Sequence, residues 1–191
     1  MKQEDQRIKL TKLMIKQAMA DLLKTTPNDK ITISLLCEKA QINRGTFYSR
    51  YKDVNDLRTK DKTEFSDELK KFIVPFVLKT RKETVTTYDF FYQILGFFKQ
   101  NANSAYIVVC TRDEDNFVDD VISAVRDIVD VAYPNIFKEK DALDIELYYE
   151  YVSGGTVSVL ANRIKGGCLI PVEILAEKLN NIIVETSNYL M

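Results

Sequence analysis

The side chains best suited to gripping a ligand lie close together, in Asn43-Arg44-Gly45-Thr46-Phe47-Tyr48-Ser49-Arg50 and Lys52. At helical spacing Arg44 and Tyr48 share one face, with Thr46 and Ser49 beside it. A guanidinium there can pair in two-pronged fashion with guanine. Thr and Tyr hydroxyls and backbone N–H groups suit phosphate oxygens. Gly45 lets a helix N-terminus approach a duplex closely, where the helix dipole also favours phosphate. Arg50 and Lys52 extend a basic rim. This is the chemistry of holding a nucleic acid, and the chemistry of turnover is missing. The chain has no His among 191 residues. His-based acid/base catalysis, Ser-His-Asp and Cys-His nucleophiles and His metal sites are therefore excluded. Cys37, Cys110 and Cys168 lack metal-ligand spacing, and an odd count is a poor disulfide framework. A reducing compartment is the expectation, with no metal and no cofactor.

Such residues need elements to aim them. Only 6 Gly and 4 Pro punctuate the chain, which disfavours an all-β protein with many turns. The apolar spacing is helical almost throughout. Ile15, Ala18, Met19, Leu22 and Leu23 fall at i, i+3, i+4, i+7 and i+8, the stripe of an amphipathic first helix. Pro27, Asn28 and Asp29 mark the turn after it. A short helix is expected over about 33–40 with Thr32 as N-cap, and another over about 44–51 capped by Asn43. Helix, short helix, tight turn, short helix is the helix-turn-helix layout. Leu36, Cys37, Ala40, Ile42, Phe47 and Tyr51 can meet the stripe of the first helix, which leaves Arg44, Thr46 and Tyr48 exposed.

From Val54 a longer helix carries Leu57, Phe65, Leu69, Phe72, Ile73 and Phe76 on one side. Pro75 is expected to end or kink it near Val74. Further helices are expected over 88–101, 118–132, 141–164 and 171–190. Tyr106-Ile107-Val108-Val109 reads equally as a strand or a buried helix turn. Gly166-Gly167 should terminate the long helix before it.

The formal charge of −1 comes from 27 basic and 28 acidic side chains. It hides a split. Residues 1–60 carry 13 basic and 7 acidic side chains, giving +6, and residues 61–191 carry 14 and 21, giving −7. A basic end suits phosphate. No apolar run reaches the ~18 residues of a membrane span, and Met1–Thr11 is too polar for a signal peptide. The expectation is a cytoplasmic protein with no membrane partner. At 46% hydrophobic residues the chain can bury a real core in one or two domains.

The run from Ile31 to Leu57 also resembles the DNA-binding domain of TetR/AcrR-type transcriptional regulators. Arg44-Gly45-Thr46-Phe47-Tyr48, the aromatic Tyr51 three residues later and the following Leu57 carry the likeness, which covers roughly residues 8–57. The resemblance implies an all-α homodimer of about nine helices per chain. A three-helix helix-turn-helix domain over 1–57 would read a palindromic double-stranded operator. A helical bundle over 58–191 would dimerise and bind an effector, a small molecule or a protein. By position, Arg44 and Thr46 would face bases or phosphates, Tyr48 would bind a phosphate, and Thr32 would cap its helix and touch the DNA backbone. Gly45, Ser49, Arg50 and Lys52 complete the candidate DNA face. Two positions depart from the pattern. Val54 stands where the family usually has Lys, so Lys52 or Arg50 would have to supply that phosphate contact. Gln41 stands where the turn usually has Gly, and a positive φ there costs Gln on the order of 1 kcal/mol. Tyr149–Val159 is similar to the Gly-Gly helix of a subset that includes a dihydroxyacetone kinase operon activator, which binds a partner protein rather than a free small ligand.

Beyond residue 57 no motif carries chemistry. Phe91, Ile94, Phe98, Tyr106, Phe117, Tyr148 and Tyr151 are candidates for an effector pocket between helices, against an ordinary core. Val152, Gly155, Val159, Leu175, Leu179 and Ile183 are candidates for the dimer interface. Gly154-Gly155 fits close helix packing there, against a plain helix break. The reading is a DNA-binding regulator, a repressor released by an effector. Its rivals are a regulator controlled by a partner protein, a helical enzyme using carboxylates or Tyr, and a structural helical dimer. The last leaves the basic end unexplained.

Overall fold

The computed structural model describes residues 2–80, 86–111, 141–167 and 169–190, and its regular structure there is entirely helical. Eight α-helices lie among the described residues: α1 (Lys2–Leu23), α2 (Ile33–Lys39), α3 (Arg44–Tyr48), α4 (Val54–Thr80), α5 (Thr87–Gln100), α6 (Ala102–Cys110), α7 (Ala142–Lys165) and α8 (Val172–Leu190). The all-α expectation holds. The apolar stripe expected over 118–132 lies outside the described residues.

The chain forms two compact units. The first holds α1, α2, α3, the start of α4 up to Ser66, and α6. Its core is the one the apolar spacing anticipates. Ile15, Met19, Leu36, Phe47 and Leu57 are fully buried, with Ala18, Cys37, Ala40 and Tyr51 beside them and Leu22, Leu23 and Ile42 packed on the outside. Ile107 joins this core from α6. The ambiguous run around it is therefore a buried helix, and it covers the N-terminal helices. The boundary expected at 57/58 falls in the first turn of α4, a helix that runs on without interruption to Thr80.

Pro75 does not end that helix. It removes one backbone N–H bond, but the turn before it is anchored. The Phe72 ring packs tilted against Phe97 with centroids 5.1 Å apart, and Ile73 is buried.

The second unit holds the rest of α4 with α5, α7 and α8. Thr86 and Asp89 form a reciprocal cap at the start of α5. The Asp89 N–H donates to Thr86 Oγ1 at 3.1 Å and the Thr86 N–H donates to Asp89 Oδ2 at 2.9 Å. α8 packs on α5. Phe91, Ile94, Leu95, Phe97 and Phe98 of α5 are buried, as are Leu175, Ala176 and Leu179 of α8. α7 starts on Asp141, whose Oδ1 accepts from the Leu143 N–H at 3.0 Å. It ends at Gly166, followed by Gly167 with φ +78°, the left-handed stop that favours Gly.

Candidate nucleic-acid interface

The candidate face is held by three local devices, each legible from residue type. Thr32 caps α2, with the Leu35 N–H donating to Thr32 Oγ1 at 3.3 Å. α2 then closes on a left-handed residue. Gln41 has φ +54°. Its N–H donates to the Glu38 carbonyl at 3.1 Å, and the Ile42 N–H reaches back to the Cys37 carbonyl at 3.0 Å. That is a Schellman closure with Gln where Gly is usual. Asn43 caps α3, its Oδ1 accepting from the Thr46 N–H at 2.7 Å. A Cβ on Gly45 would sit 3.2 Å from that same oxygen. Gly45 therefore leaves room for the cap as well as for a duplex.

α3 is shorter than the spacing suggests. It ends at Tyr48 rather than Tyr51, because Ser49 Oγ turns back to donate to the Thr46 carbonyl at 2.7 Å and the Arg50 N–H closes a tight turn on the Phe47 carbonyl at 2.9 Å. Phe47 is fully buried and fixes which way the helix faces. Its ring lies 5.7 Å from Tyr51 and 5.9 Å from Tyr48. Arg44, Gly45, Tyr48, Ser49, Lys52 and Thr32 are exposed, while Thr46 and Arg50 are half-buried. Tyr48 keeps 56% of its surface, which is ample for a hydroxyl contact.

The basic rim is tethered through its backbone. The Lys52 N–H donates to Asp56 Oδ2 at 2.9 Å. Lys60 bridges Asp56 and the Arg50 carbonyl at 2.9 and 3.1 Å. The hydrogen bonds from Lys60 and Lys52 hold the Asp56 carboxyl below its ordinary value. The Lys52 ammonium stays exposed, whereas Val54 packs on the N-terminal core.

A buried charge cluster braces the unit behind this face. Asp61 is 1% exposed. Lys16 Nζ lies 2.5 Å from its Oδ1, and Ser104 Oγ donates to the same oxygen at 2.9 Å. Lys16 also pairs with Glu64 at 3.2 Å, and Glu64 pairs with Lys12 at 2.6 Å. α1, α4 and α6 are thereby tied together. Sequence reasoning missed this cluster. The signal was available, since Leu57, Asp61, Phe65 and Leu69 recur every fourth residue and place a carboxylate on a buried stripe.

The described pocket candidates lie in different surroundings, each taken within its own unit. Phe91 and Ile94 lie in the core of the second unit. Phe98 lines a cleft of about 30 Å³ with Leu95, Leu160, Ile164, Val172 and Leu175, near exposed Lys99 and Arg163. Tyr148 is half-buried, and burial pushes its phenol above the ordinary value. Tyr151 is 71% exposed. Tyr106 belongs to the first unit, its ring 5.6 Å beneath the Lys24 ammonium. Phe117 lies outside the described residues.

Of the candidate dimer residues, Gly155 is exposed, Val152, Val159 and Ile183 are half-buried, and Leu175 and Leu179 are buried inside the unit. A Cβ on Gly154 or Gly155 would meet nothing within 4 Å. Apolar residues left in the open among the described residues include Leu143, Leu147 and Tyr151 along one face of α7, and Ile174, Ile182 and Val184 on α8.

Residues 85–185 match the TetR-type family described as "Transcriptional regulator C-terminal region". No curated protein sequence matches the chain. Among solved structures it is similar to the dihydroxyacetone kinase operon activator DhaS, with a TM-score of 0.54 at 18% identity over 94% of this chain and 97% of that one. It is similar to a TetR transcriptional regulator from Streptococcus agalactiae 2603V, with a TM-score of 0.52 at 22% identity over 94% and 97%. A TetR-like transcriptional regulator from Rhodococcus sp. RHA1 gives a TM-score of 0.60 at 17% identity over 91% and 93%. At these identities the likeness is one of fold.

Proposed function

Because the chain belongs to the TetR family of transcriptional regulators, we propose that it binds a palindromic DNA operator as a homodimer and acts as a repressor released by an effector. The observation that carries this is the α3 face. A capped helix, oriented by buried Phe47, presents Arg44, Tyr48 and Ser49 to solvent beside Lys52. In a dimer two such helices would enter successive major grooves about 34–36 Å apart. Residues 1–57 would read DNA, and 58–191 would dimerise and sense. Dimerisation through α7 and α8 accounts for Leu147, Tyr151 and Ile182 standing in the open. An effector would act by its differential affinity for the DNA-competent and incompetent states.

A mobility-shift titration over several salt concentrations tests the DNA reading. Affinity should fall linearly on a log–log plot against salt, by a slope of about 0.9 for each phosphate neutralised. Arg44→Ala should relax sequence preference by roughly ten-fold at one base pair. Lys52→Ala should weaken all duplexes alike and lower the slope by about one. Salt-independent binding, or an Arg44→Ala variant identical to the parent, is incompatible with α3 as the recognition helix.

The second reading, control by a protein partner, is favoured by one observation. Among the described residues α7 exposes Leu143 as well as Leu147 and Tyr151, an apolar strip that a partner protein could cover in place of a second copy. A stoichiometric partner that co-purifies and alters operator affinity would select this reading over a metabolite.

A further inference from the structure

Arg44 is already held before any DNA arrives. Its Nη2 donates to Ser34 Oγ at 2.6 Å. Ser34 is the second residue of α2 and Arg44 the first of α3, so the bond spans the two helices of the motif. Those helices share one core through Leu36, Cys37 and Phe47, and each begins on its own side-chain cap. Ser34 therefore stands at a defined place beside the start of α3. A guanidinium bonded to its Oγ is drawn toward one rotamer. The guanidinium carries five N–H donors in a planar fork, so the donors not facing Ser34 can still grip a guanine edge. The serine hydroxyl also retains its own proton for a second contact.

We propose that Ser34 is a positioning residue that presents the Arg44 fork to one base pair of each half-site, so that it sets sequence preference rather than overall affinity. This rests on the reading of α3 as the recognition helix. A floppy Arg at the start of a five-residue helix would reach several bases and phosphates with similar ease. One hung from Ser34 reaches few.

The experiment uses the full chain and a duplex site enriched from a random pool by the parent protein. Affinities are measured for that site, for each single base-pair change and for random duplex, across a salt series. The proteins are the parent, Ser34→Ala, Ser34→Thr, Arg44→Ala and the Ser34→Ala/Arg44→Ala double variant. Ser34→Ala should lose about three- to ten-fold of discrimination at the base pair where Arg44→Ala also loses it. Its random-duplex affinity and salt slope should stay unchanged. Ser34→Thr should restore preference, and the double variant should be no worse than Arg44→Ala. Unchanged preference in Ser34→Ala overturns the proposal, because Arg44 then leaves Ser34 on binding. A uniform loss with a slope lower by about one also overturns it and makes Ser34 a phosphate contact. If the parent enriches no site and binds no duplex, the recognition-helix reading falls first and this inference with it.

Discussion

Asp61 is the residue whose environment has the sharpest consequences for stability. It is buried with Lys16, and removing one partner of such a pair strands the other charge away from water. Lys16→Met should therefore lower the unfolding free energy by about 3 kcal/mol, read from the urea midpoint at unchanged slope. A variant within a few tenths of the parent would show the pair to be solvated. The same cluster shapes the pH response. Burial pulls the Lys16 ammonium down, but Asp61 and Glu64 outweigh it and leave it above its ordinary 10.5. Burial also pushes the Tyr51 phenol up to about 12. Both groups hold their protons more tightly folded than unfolded, so their contribution is whole below about pH 10 and drains away as pH rises through the folded values. Glu64 behaves in the opposite sense. Burial raises it, but hydrogen bonds from Lys12 and Lys16 win and leave it below its ordinary 4.5. Its contribution is present above that value and is lost as pH falls through the folded one. Thermal midpoints should therefore decline at both ends of a pH series, with a shallower alkaline limb in Lys16→Met.

The short helices of the motif depend on single caps, and these make the clearest tests at the level of the element. Gln41 occupies a left-handed position without being Gly, so Gln41→Gly should raise stability by about 1 kcal/mol. Asn43→Ala should cost about 1 kcal/mol by losing the cap. Gly45→Ala should gain helix propensity only once the Asn43 oxygen is gone, since the two crowd at 3.2 Å. A double-mutant cycle on Asn43 and Gly45 with additive effects would contradict that crowding. Caps and turns were legible from sequence because they are local: Thr32, Gln41 and Asn43 act within three or four residues of themselves. The apolar stripe of α1 was equally plain. What could not be read was whether an apolar stripe packs inside its own unit or against a second copy. On α8, Leu175 and Leu179, named above as dimer candidates, are buried where α8 packs on α5, while Ile174 and Ile182 are exposed. The pairing of residues 16, 61 and 104 was hidden for the same reason, since tertiary neighbours share no spacing in sequence.

For the molecule as a whole, the charge split and the open faces of α7 and α8 make one expectation together. On the proposed reading, the basic end would bind an operator only as strongly as two copies are joined. Leu147→Asp with Tyr151→Asp should convert a dimer to a monomer in sedimentation and weaken operator binding far more than random-duplex binding, with the helical circular-dichroism signal retained because both residues are exposed within the protomer, and with a melting midpoint that no longer rises with concentration. A dimer that survives both changes would place the interface elsewhere. The position of α6 has a consequence of another kind. Its Ile107 completes the core of the N-terminal unit, while Ser104 and Asn103 bond to Asp61 and Gln17 of that unit at 2.9 and 2.7 Å. The N-terminal unit is therefore not a contiguous cassette. Grafting residues 1–57 onto a foreign sensor would leave the groove made for α6 uncovered, so a working chimera has to carry that helix along or be given a substitute shaped like it.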